Sequence, residues 1–359
     1  MSAPVQYGPR FGAAAVYLNL SQLIPEDRVA QTMADLFGAA HFCPMSLTQW
    51  MAAKARAFEP VAARIAALAA QAPLRCLDET GFRVAGRNPW LHTVATDALT
   101  FYRVSPKRSD LPRDLAGGVI VHDGLKGYWS LSGAAHALCN AHHLRELKAV
   151  IEFDGETWAK PMRDLLLEAN RAVESARERG ETALAPQIVD GFHARYWDLL
   201  RLGLAYHRHL PRLPRHASRR GRDKRRPGHN LLIRLHKFKD AVLRFLVDFT
   251  VPFTNNLAEQ APRMMKVKMK ISGAFRTFQS ACDFAALRSL VATARKRGWN
   301  IMATLTQNPQ NLVQALANSN APWQLLSGRN CPAVVSLESH SFRVFTLICA
   351  IFRDKGTAL

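Results

Sequence analysis

The chain has 359 residues, more than one average domain, so its length allows two or three structural units and a large buried core. Hydrophobic residues make up 48% and charged residues 21%, an ordinary globular composition that excludes wholesale disorder. The charge balance is unusual. The 48 Lys and Arg residues outnumber the 28 Asp and Glu residues, and the formal net charge of +20 is typical of proteins that neutralise phosphates.

The hydropathy of the chain argues against membrane and secreted classes. No apolar run approaches the roughly 18–20 residues that a membrane-spanning helix needs, and the string MSAPVQYGPRFG has neither a signal core nor a transit pattern. The 6 cysteines are scattered without a CxxC pair, which is typical of reduced thiols rather than of a disulfide framework. We therefore expect a cytoplasmic protein with no membrane segment.

The amino-terminal part of the chain carries helical periodicity. Alanine-rich segments over residues 25–37 and 47–70 place apolar side chains at helical spacing. Residues 1–72 are therefore predicted to form a helical region, and nothing in it suggests catalysis.

Strand-like patterns begin at Leu74. The runs LRCLDE, WLHTVATD and LTFYRVS are rich in β-prone residues and separated by turn-forming pairs, which predicts an antiparallel meander. The apolar run VIVH before Asp123 predicts a buried strand, and AHALC predicts another before the helical string HHLRELKAVIE. Hairpin-connected strands followed by strands that alternate with helices predict a mixed α/β sheet over residues 73–150, in the order that the ribonuclease H-like fold has.

The second half of the chain is predicted to be mainly helical. Helical periodicity over residues 157–208, broken near Gly180 and Pro186, indicates an inserted helical unit at 151–250. Within it, residues 211–227 are too charged and too rich in Pro and Gly to pack, so we expect an exposed basic loop. A helix is predicted over 230–249, and 256–297 is predicted to be helical with an interruption near 271–273. The expected units are thus a helical region at 1–72, core segments at 73–150 and 251–306, the insertion at 151–250, and a divergent tail at 307–359.

Three acids are spaced so that they can meet in such a sheet. Asp78 lies near the end of the first strand and Asp123 closes the apolar strand, so they lie side by side if those strands are neighbours. Glu259 follows the string TNN, which suits a helix N-terminus. Carboxylates are ligands that Mg²⁺ prefers, and two ions about 4 Å apart can serve in-line phosphoryl transfer. Taken singly, an acid at a strand end such as Asp78 is more often a solvated turn residue than a catalytic one, and Glu259 alone fits an exposed helix acid that pairs with Arg263.

Four separated strings contain these acids in order: LDETGFRVAGRNPWLHTVAT, VIVHDGLKGYW, LCNAHHLREL and VPFTNNLAEQAPRMMKVKMKISGAFRT. Over roughly residues 6–306 the chain resembles transposases of the insertion sequence 66 family, which belong to the DDE superfamily. The resemblance implies a ribonuclease H-like core in which Asp78, Asp123 and Glu259 are catalytic and bind two Mg²⁺ or Mn²⁺ ions. It also implies strand cleavage and strand transfer at insertion-sequence ends, with DNA ends and target DNA as partners. A homo-oligomer assembled on DNA in the bacterial cytoplasm, associated with the nucleoid, is a further expectation from the resemblance.

The long stretch of chain between Asp123 and Glu259 exceeds what one crossover of this fold requires. In related transposases a mainly helical insertion at this point helps to handle DNA, so the basic loop is expected to contact phosphates without reading sequence. Solubility is the alternative role for the loop, and surface solvation is the alternative for the cations that follow Glu259. The residues expected to contact DNA are Arg219, Arg220, Arg222, Lys224, Arg225, Arg226, Arg263, Lys266, Lys268, Lys270 and Arg276.

Cys139 and His142 form a CxxH string after the last predicted strand, and several DDE families have a similar motif at this point. Structural zinc usually takes four ligands, and no second Cys pair is present, so a site-shaping role is favoured over a metal site. Arg145 is expected to approach the scissile phosphate. Asn255 and Asn256 are expected to orient groups around Glu259.

Both ends of the chain depart from the family pattern. Full-length members carry a further region with a Cys-rich motif before the string YGPRFGA, and residues beyond about 320 match nothing recognised in the family. A truncated copy is therefore expected. Two rival functions remain open: a ribonuclease H-like nuclease that hydrolyses without joining, and a catalytically inactive DNA-binding remnant.

Overall fold

Four helices precede the first strand in the computed structural model, which describes residues 7–112, 115, 117–211, 213 and 224–318. The predicted helical region is thus confirmed for the described residues up to 71, with one correction. The periodic segment over 47–70 is not one helix, because the chain breaks at Phe58 and Pro60 then starts a new helix near its first position. The four helices are α1 (Pro9–Leu20), α2 (Glu26–Phe37), α3 (Pro44–Ala57) and α4 (Glu59–Gln71).

A five-stranded mixed sheet follows, with the strand order β3-β2-β1-β4-β5. The first three strands form the predicted antiparallel meander, and β4 and β5 run parallel to β1 on its other side. This arrangement confirms the mixed α/β prediction and agrees with a ribonuclease H-like core. The strands are β1 (Leu74–Gly81), β2 (Trp90–Ala95), β3 (Thr100–Ser105), β4 (Val119–His122) and β5 (Ala135–Leu138).

Glycine fixes the point at which β4 joins the sheet. Gly118 has a φ of +64°, and a Cβ there would collide with the carbonyl of Pro73. The next residue, Val119, donates its N–H to that same carbonyl at 2.7 Å. The close approach of the two backbones starts the parallel register between β4 and β1.

The helix that follows β5 and the helices of the insertion pack on the sheet and share its core. A π-helical turn at Val150–Asp154 separates the first two helices, and the predicted helix over 230–249 is three short helices rather than one. Buried Cys76 and Val121 of the sheet belong to the same apolar cluster as Trp158 and Leu232 of these helices. The helices are α5 (Asn140–Ala149), α6 (Ala159–Glu178), α7 (Pro186–His209), α8 (Pro227–Lys237), α9 (Lys239–Val242) and α10 (Arg244–Val247).

Five helices complete the described part of the chain. The predicted interruption near 271–273 is confirmed, and a further break at Ala261 and Pro262 separates the helix of Glu259 from the next one. Helical structure continues past residue 306, where the predicted tail begins, and its last helix packs on α4. The helices are α11 (Asn256–Gln260), α12 (Arg263–Ser272), α13 (Phe278–Lys296), α14 (Ile301–Thr306) and α15 (Pro309–Ala317).

Helix α13 covers the outer edge of the sheet. Ser289 Oγ accepts the N–H of Tyr102 at 2.9 Å, and Thr293 Oγ1 accepts the N–H of Thr100 at 3.1 Å. Both acceptors are buried, so they replace the neighbouring strand that the edge strand β3 lacks. None of the described helices is long and apolar enough to cross a membrane.

Candidate active site

The sheet register places Asp78 and Asp123 on neighbouring strands. Cys76 on β1 pairs with Val121 on β4, and β4 ends one residue later. Continuing the same parallel register by two residues brings Asp78 level with Asp123. The condition set by the sequence pattern, that the two strands are adjacent, is therefore met.

A tight turn fixes the carboxylate of Asp123. Gly124 has a φ of +92°, which a side chain would disfavour, and it allows the backbone to turn directly after the acid. The N–H of Leu125 then donates to Asp123 Oδ1 at 2.8 Å. This local hydrogen bond sets the orientation of the carboxylate before any ligand arrives.

Buried His122 supports the same turn. Its Nδ1 accepts the N–H of Gly124 at 3.0 Å, so its Nε2 carries the proton and donates to Nδ1 of His136, also at 3.0 Å. Burial lowers the pKa of His122 to about 3, and the ring is therefore neutral at physiological pH. A neutral imidazole in a fixed tautomer thus holds the loop that carries Asp123.

Asp78 lies in an electrostatic field made largely by other acids. Burial raises the pKa of Asp78 to about 7, and the charge of the adjacent Glu79 adds to the rise. The charges of Asp123 and Glu259 raise it further, although each contributes less. Asp123 and Glu259 therefore both lie within electrostatic range of Asp78, and the repulsion of Asp78 by these charges favours a bound cation.

Asn255 brings the helix of Glu259 to the sheet. Its side-chain Nδ2 donates to the carbonyl of Leu77 at 2.8 Å, next to Asp78, and its backbone N–H approaches Cys139 Sγ at 3.2 Å. Asn255 is fully buried and makes no side-chain cap to α11, contrary to what the string TNN suggests. Its amide instead attaches α11 to the end of β1. Asn256 is exposed at the start of α11.

Cys139 and His142 meet Glu259 at the start of α5. The thiol of Cys139 donates to Glu259 Oε1 at 3.0 Å, and His142 Nδ1 lies 3.5 Å from the same oxygen. Burial and this hydrogen bond raise the pKa of Cys139 to about 12, so it is a thiol. The ion pair between Glu259 and Arg263 that the alternative requires is not found among the described residues, where the Glu259 carboxylate instead faces His142.

Glu79 is a fourth acid at this place that the sequence reasoning missed. It is buried beside Asp78, its Oε2 accepts a short hydrogen bond from the Tyr128 hydroxyl, and Arg108 donates to its Oε1 from Nε at 3.0 Å. Tyr128 lies in the 3₁₀ turn Lys126–Ser130, which follows Asp123. The Glu79 carboxylate therefore connects β1 to the loop after β4. The string DE in β1 was the only signal for it, since its partners come from distant segments.

The predicted DNA contacts are distributed over two regions. Arg219, Arg220 and Arg222 lie outside the described residues, whereas Lys224 and Arg225 are exposed just before α8. Arg226 donates to the carbonyl of Pro211 at 2.9 Å, across the predicted basic loop.

The cations that follow Glu259 differ in their environment. On α12, Lys268 is partly buried with its ammonium 4.8 Å from the ring centroid of Phe275, and Lys266 donates to the carbonyl of Gly81 at 3.1 Å. Burial lowers the pKa of Lys268. The remaining predicted cations are exposed, namely Arg145, Arg263, Lys270 and Arg276.

The comparison with family models gives the family to which the sequence belongs. The model described as Transposase IS66 family matches residues 4–282, a span that contains all three acids and most of the described fold. No curated protein and no solved structure matches the sequence. Since the matched span covers most of the chain and includes the strings that carry Asp78, Asp123 and Glu259, the chain belongs to the IS66 family of transposases.

Proposed function

We propose that this transposase is a DDE-type enzyme that cleaves and joins DNA strands at Asp78, Asp123 and Glu259. The observation that carries the proposal is their placement. The register of β1 and β4 sets the two Asp residues level, and the charges of Asp123 and Glu259 raise the pKa of Asp78. Family membership supports a transposase in general, and the geometry supports these particular acids.

The donor set fits a hard divalent cation. All three groups offer carboxylate oxygens, the ligands that Mg²⁺ and Mn²⁺ prefer, and burial of Asp78 among other acids leaves negative charge that a cation would neutralise. When bound, two ions would supply charge stabilisation at the attacked phosphate and at the leaving oxygen. The carboxylates of Asp78, Asp123 and Glu259 would hold them.

The surrounding residues of the chain set the geometry of these acids. The Leu125 N–H orients Asp123, Asn255 fixes the start of α11, and Cys139 holds Glu259 Oε1. Such preorganisation matters because misplaced ligands lose affinity, commonly by about 10- to 100-fold. The protein thereby prepares the carboxylates before DNA binds.

DNA is the partner that a transposase implies, and the charge of the chain suits it. The net charge of +20 provides a general attraction to phosphates. Lys224 and Arg225 before α8, and Lys270 and Arg276, which follow Glu259 along the chain, are exposed and available for phosphate contacts. A homo-oligomer that brings two DNA ends together belongs to the same proposal.

The test is an assay of strand cleavage and strand joining on plasmid DNA and on a pre-cleaved duplex end, with Mg²⁺ or Mn²⁺. The variants Asp78→Asn, Asp123→Asn and Glu259→Gln should each lose about 100-fold or more of the activity, because each removes a metal ligand. Asp190→Asn, which changes an exposed acid on α7, is the matched control and should retain the activity.

The products distinguish the candidate functions. Joined strands support the transposase, and hydrolysis without joining supports a ribonuclease H-like nuclease. Salt-dependent DNA binding that the three substitutions leave unchanged, with no metal-dependent cleavage in any form, supports an inactive DNA-binding remnant. Cleavage by the parent that survives Asp123→Asn contradicts the assignment of the acids.

A further inference from the structure

A second set of potential metal ligands adjoins the three acids and has a different chemistry. Cys139 Sγ, His142 Nδ1 and a carboxylate oxygen of Glu259 all lie within 4.8 Å of one another. Cys139 directly precedes α5 and His142 lies three residues later, so the two side chains project from the same side of the first turn. This set mixes sulfur, nitrogen and oxygen, whereas the acids offer oxygen alone.

The distances between these atoms are close to those between the ligand atoms of a bound metal ion. Ligands at zinc bond lengths in a tetrahedral site lie about 3.4–3.8 Å from one another. Glu259 Oε1 is 3.0 Å from Cys139 Sγ and 3.5 Å from His142 Nδ1, so small side-chain movements would suffice. The side chains of His142 and Glu259 are 31% and 18% exposed, which leaves an open side for water as a fourth ligand.

One polar atom of this cluster, Nδ1 of His142, lacks a hydrogen-bond partner in the described part of the chain. His142 Nδ1 is buried and has no hydrogen-bond partner among the described residues, although a buried polar atom normally has one. The backbone N–H of Asn255 already donates to Cys139 Sγ at 3.2 Å, a contact that would also stabilise a metal-bound thiolate. A cation would satisfy the imidazole, and the thiol proton would pass to solvent.

We propose that Cys139, His142 and Glu259 form a binding site for a thiophilic divalent cation of the Zn²⁺ class, and that its occupation inhibits strand cleavage. Thiolate and imidazole select zinc over Mg²⁺, which keeps to oxygen ligands. Glu259 is common to both ligand sets, so zinc at this site withdraws Glu259 from Asp78 and Asp123. The binding site stands on the geometry alone, and the inhibition rests on the proposed function.

Metal binding is tested first, without any activity measurement. The full chain is titrated with Zn²⁺ by calorimetry and with Co²⁺ by absorption spectroscopy, in which a thiolate ligand produces a sulfur-to-cobalt charge-transfer band. The parent should bind one tight equivalent and show the band. Cys139→Ser should abolish the band and weaken binding at least tenfold, and His142→Asn should weaken binding comparably. Cys282→Ser, at a free cysteine elsewhere, is the control and should bind as the parent does.

The inhibition is tested by the ratio of cleavage with and without low Zn²⁺ at fixed Mg²⁺. Zn²⁺ should slow cleavage by the parent and by Cys282→Ser at least tenfold, relative to the same protein without Zn²⁺. It should slow cleavage by Cys139→Ser less than twofold on the same comparison. A charge-transfer band that persists in Cys139→Ser, or the absence of tight binding by the parent, overturns the site. Tight binding with equal inhibition of the parent and Cys139→Ser overturns the inhibition alone. If no cleavage is found at all, the proposed function fails while the binding result still decides the site.

Discussion

Glu79 shows how a buried acid is stabilised beside a site that is already rich in negative charge. Its carboxylate accepts hydrogen bonds from Tyr128 and Arg108, and both contacts lower the pKa of Glu79, whereas burial and the charge of Asp123 raise it. The net effect is a raised pKa of Glu79, because desolvation is the largest contribution. Removal of either partner would leave an acid that is buried and incompletely satisfied.

Tyr128→Phe should therefore destabilise the protein by about 1–3 kcal/mol, the cost of leaving a buried group without its partner. The free energy of unfolding in urea measures the effect. Tyr206→Phe is the matched control, because the hydroxyl of this half-buried tyrosine makes no hydrogen bond within the described residues and its loss should change stability by less than about 0.5 kcal/mol. Equal losses from the two substitutions would refute the role of the Glu79 contact.

At this scale, the sequence predicted the strands that carry the acids but not the supports of the acids. Asp123 follows the end of β4 as predicted, whereas β1 continues to Gly81, so Asp78 lies inside its strand rather than near its end. Asp123 closes an apolar run, and the string VIVHD contains the signal. His122, in the same string, shows no sign of its contact with His136, because that contact depends on the pairing of β4 with β5. The local sequence predicts where a residue lies along its strand, whereas its hydrogen-bond partners depend on which strands become neighbours.

At the scale of elements, the attachment of α11 to the sheet decides where Glu259 lies. This helix has only 5 residues, too short to be stable by itself, so its position depends on tertiary contacts. Asn255 makes the contact with Leu77 and also approaches Cys139. The sequence correctly indicated that Asn255 matters, but as a helix cap, because capping is the commonest role of such a residue before a helix.

Asn255→Ala should lower the free energy of unfolding by about 1–3 kcal/mol, since it removes a buried amide that bonds to the Leu77 carbonyl. Because α11 is then less fixed, metal-dependent cleavage should fall by about 10- to 100-fold in the folded variant. Asn311→Ala, at an exposed position of α15, is the control for both measurements. Normal cleavage by a destabilised Asn255→Ala would contradict the positioning role.

The hydrogen bonds between helix α13 and the edge strand β3 lead to a separate prediction. Ser289→Ala removes the acceptor for the Tyr102 N–H, which then has no partner, and should cost about 1–3 kcal/mol in unfolding experiments. Hydrogen exchange of the Tyr102 amide should accelerate at the same time. Ser175→Ala, at an exposed position of α6, should change neither quantity. An unchanged Tyr102 exchange rate would show that α13 does not protect the edge.

The corrections to the predicted helices share one cause. Apolar periodicity continues through Phe58 and through Phe238 and Leu243, yet the chain breaks there. The helices on either side of a break pack on partly different neighbours: α3 on α2 and α4 on α15, and then α8 on α7, α9 on β5 and α10 on α6. Periodicity reports which residues face a core and not where the direction of the chain changes. The strands were predicted more closely, because short β-prone runs ended by Gly, Pro and Asn leave little choice of boundary.

At the scale of the whole molecule, the excess of positive charge is the property that sequence alone predicted best. Composition established it, but the structure was needed to show that Lys268 packs against Phe275 while Lys224 and Arg225 face solvent. The mixed sheet was also predictable from strand order. The covering of β3 by α13 was not, because it depends on contacts between residues far apart in sequence.

The charge distribution leads to a prediction for DNA binding. Changing Lys224 and Arg225 to Ala should weaken binding and reduce the slope of log affinity against log salt by about 0.9 for each phosphate that is no longer neutralised. The matched control changes Arg28 and Arg56 to Ala, which removes the same charge from exposed positions of α2 and α3. If both double variants show the same loss of DNA affinity and the same reduction of the salt slope, net charge alone explains the binding. Lys224 and Arg225 then make no specific phosphate contacts.

If Asp78, Asp123 and Glu259 form one metal site, anomalous diffraction from crystals soaked in Mn²⁺ should locate the metal between them. We expect manganese within about 2.0–2.3 Å of carboxylate oxygens of Asp78 and Asp123, with Glu259 completing the ligand set. Ordered, metal-free carboxylates at Asp78 and Asp123, with manganese bound elsewhere in the molecule, would contradict it.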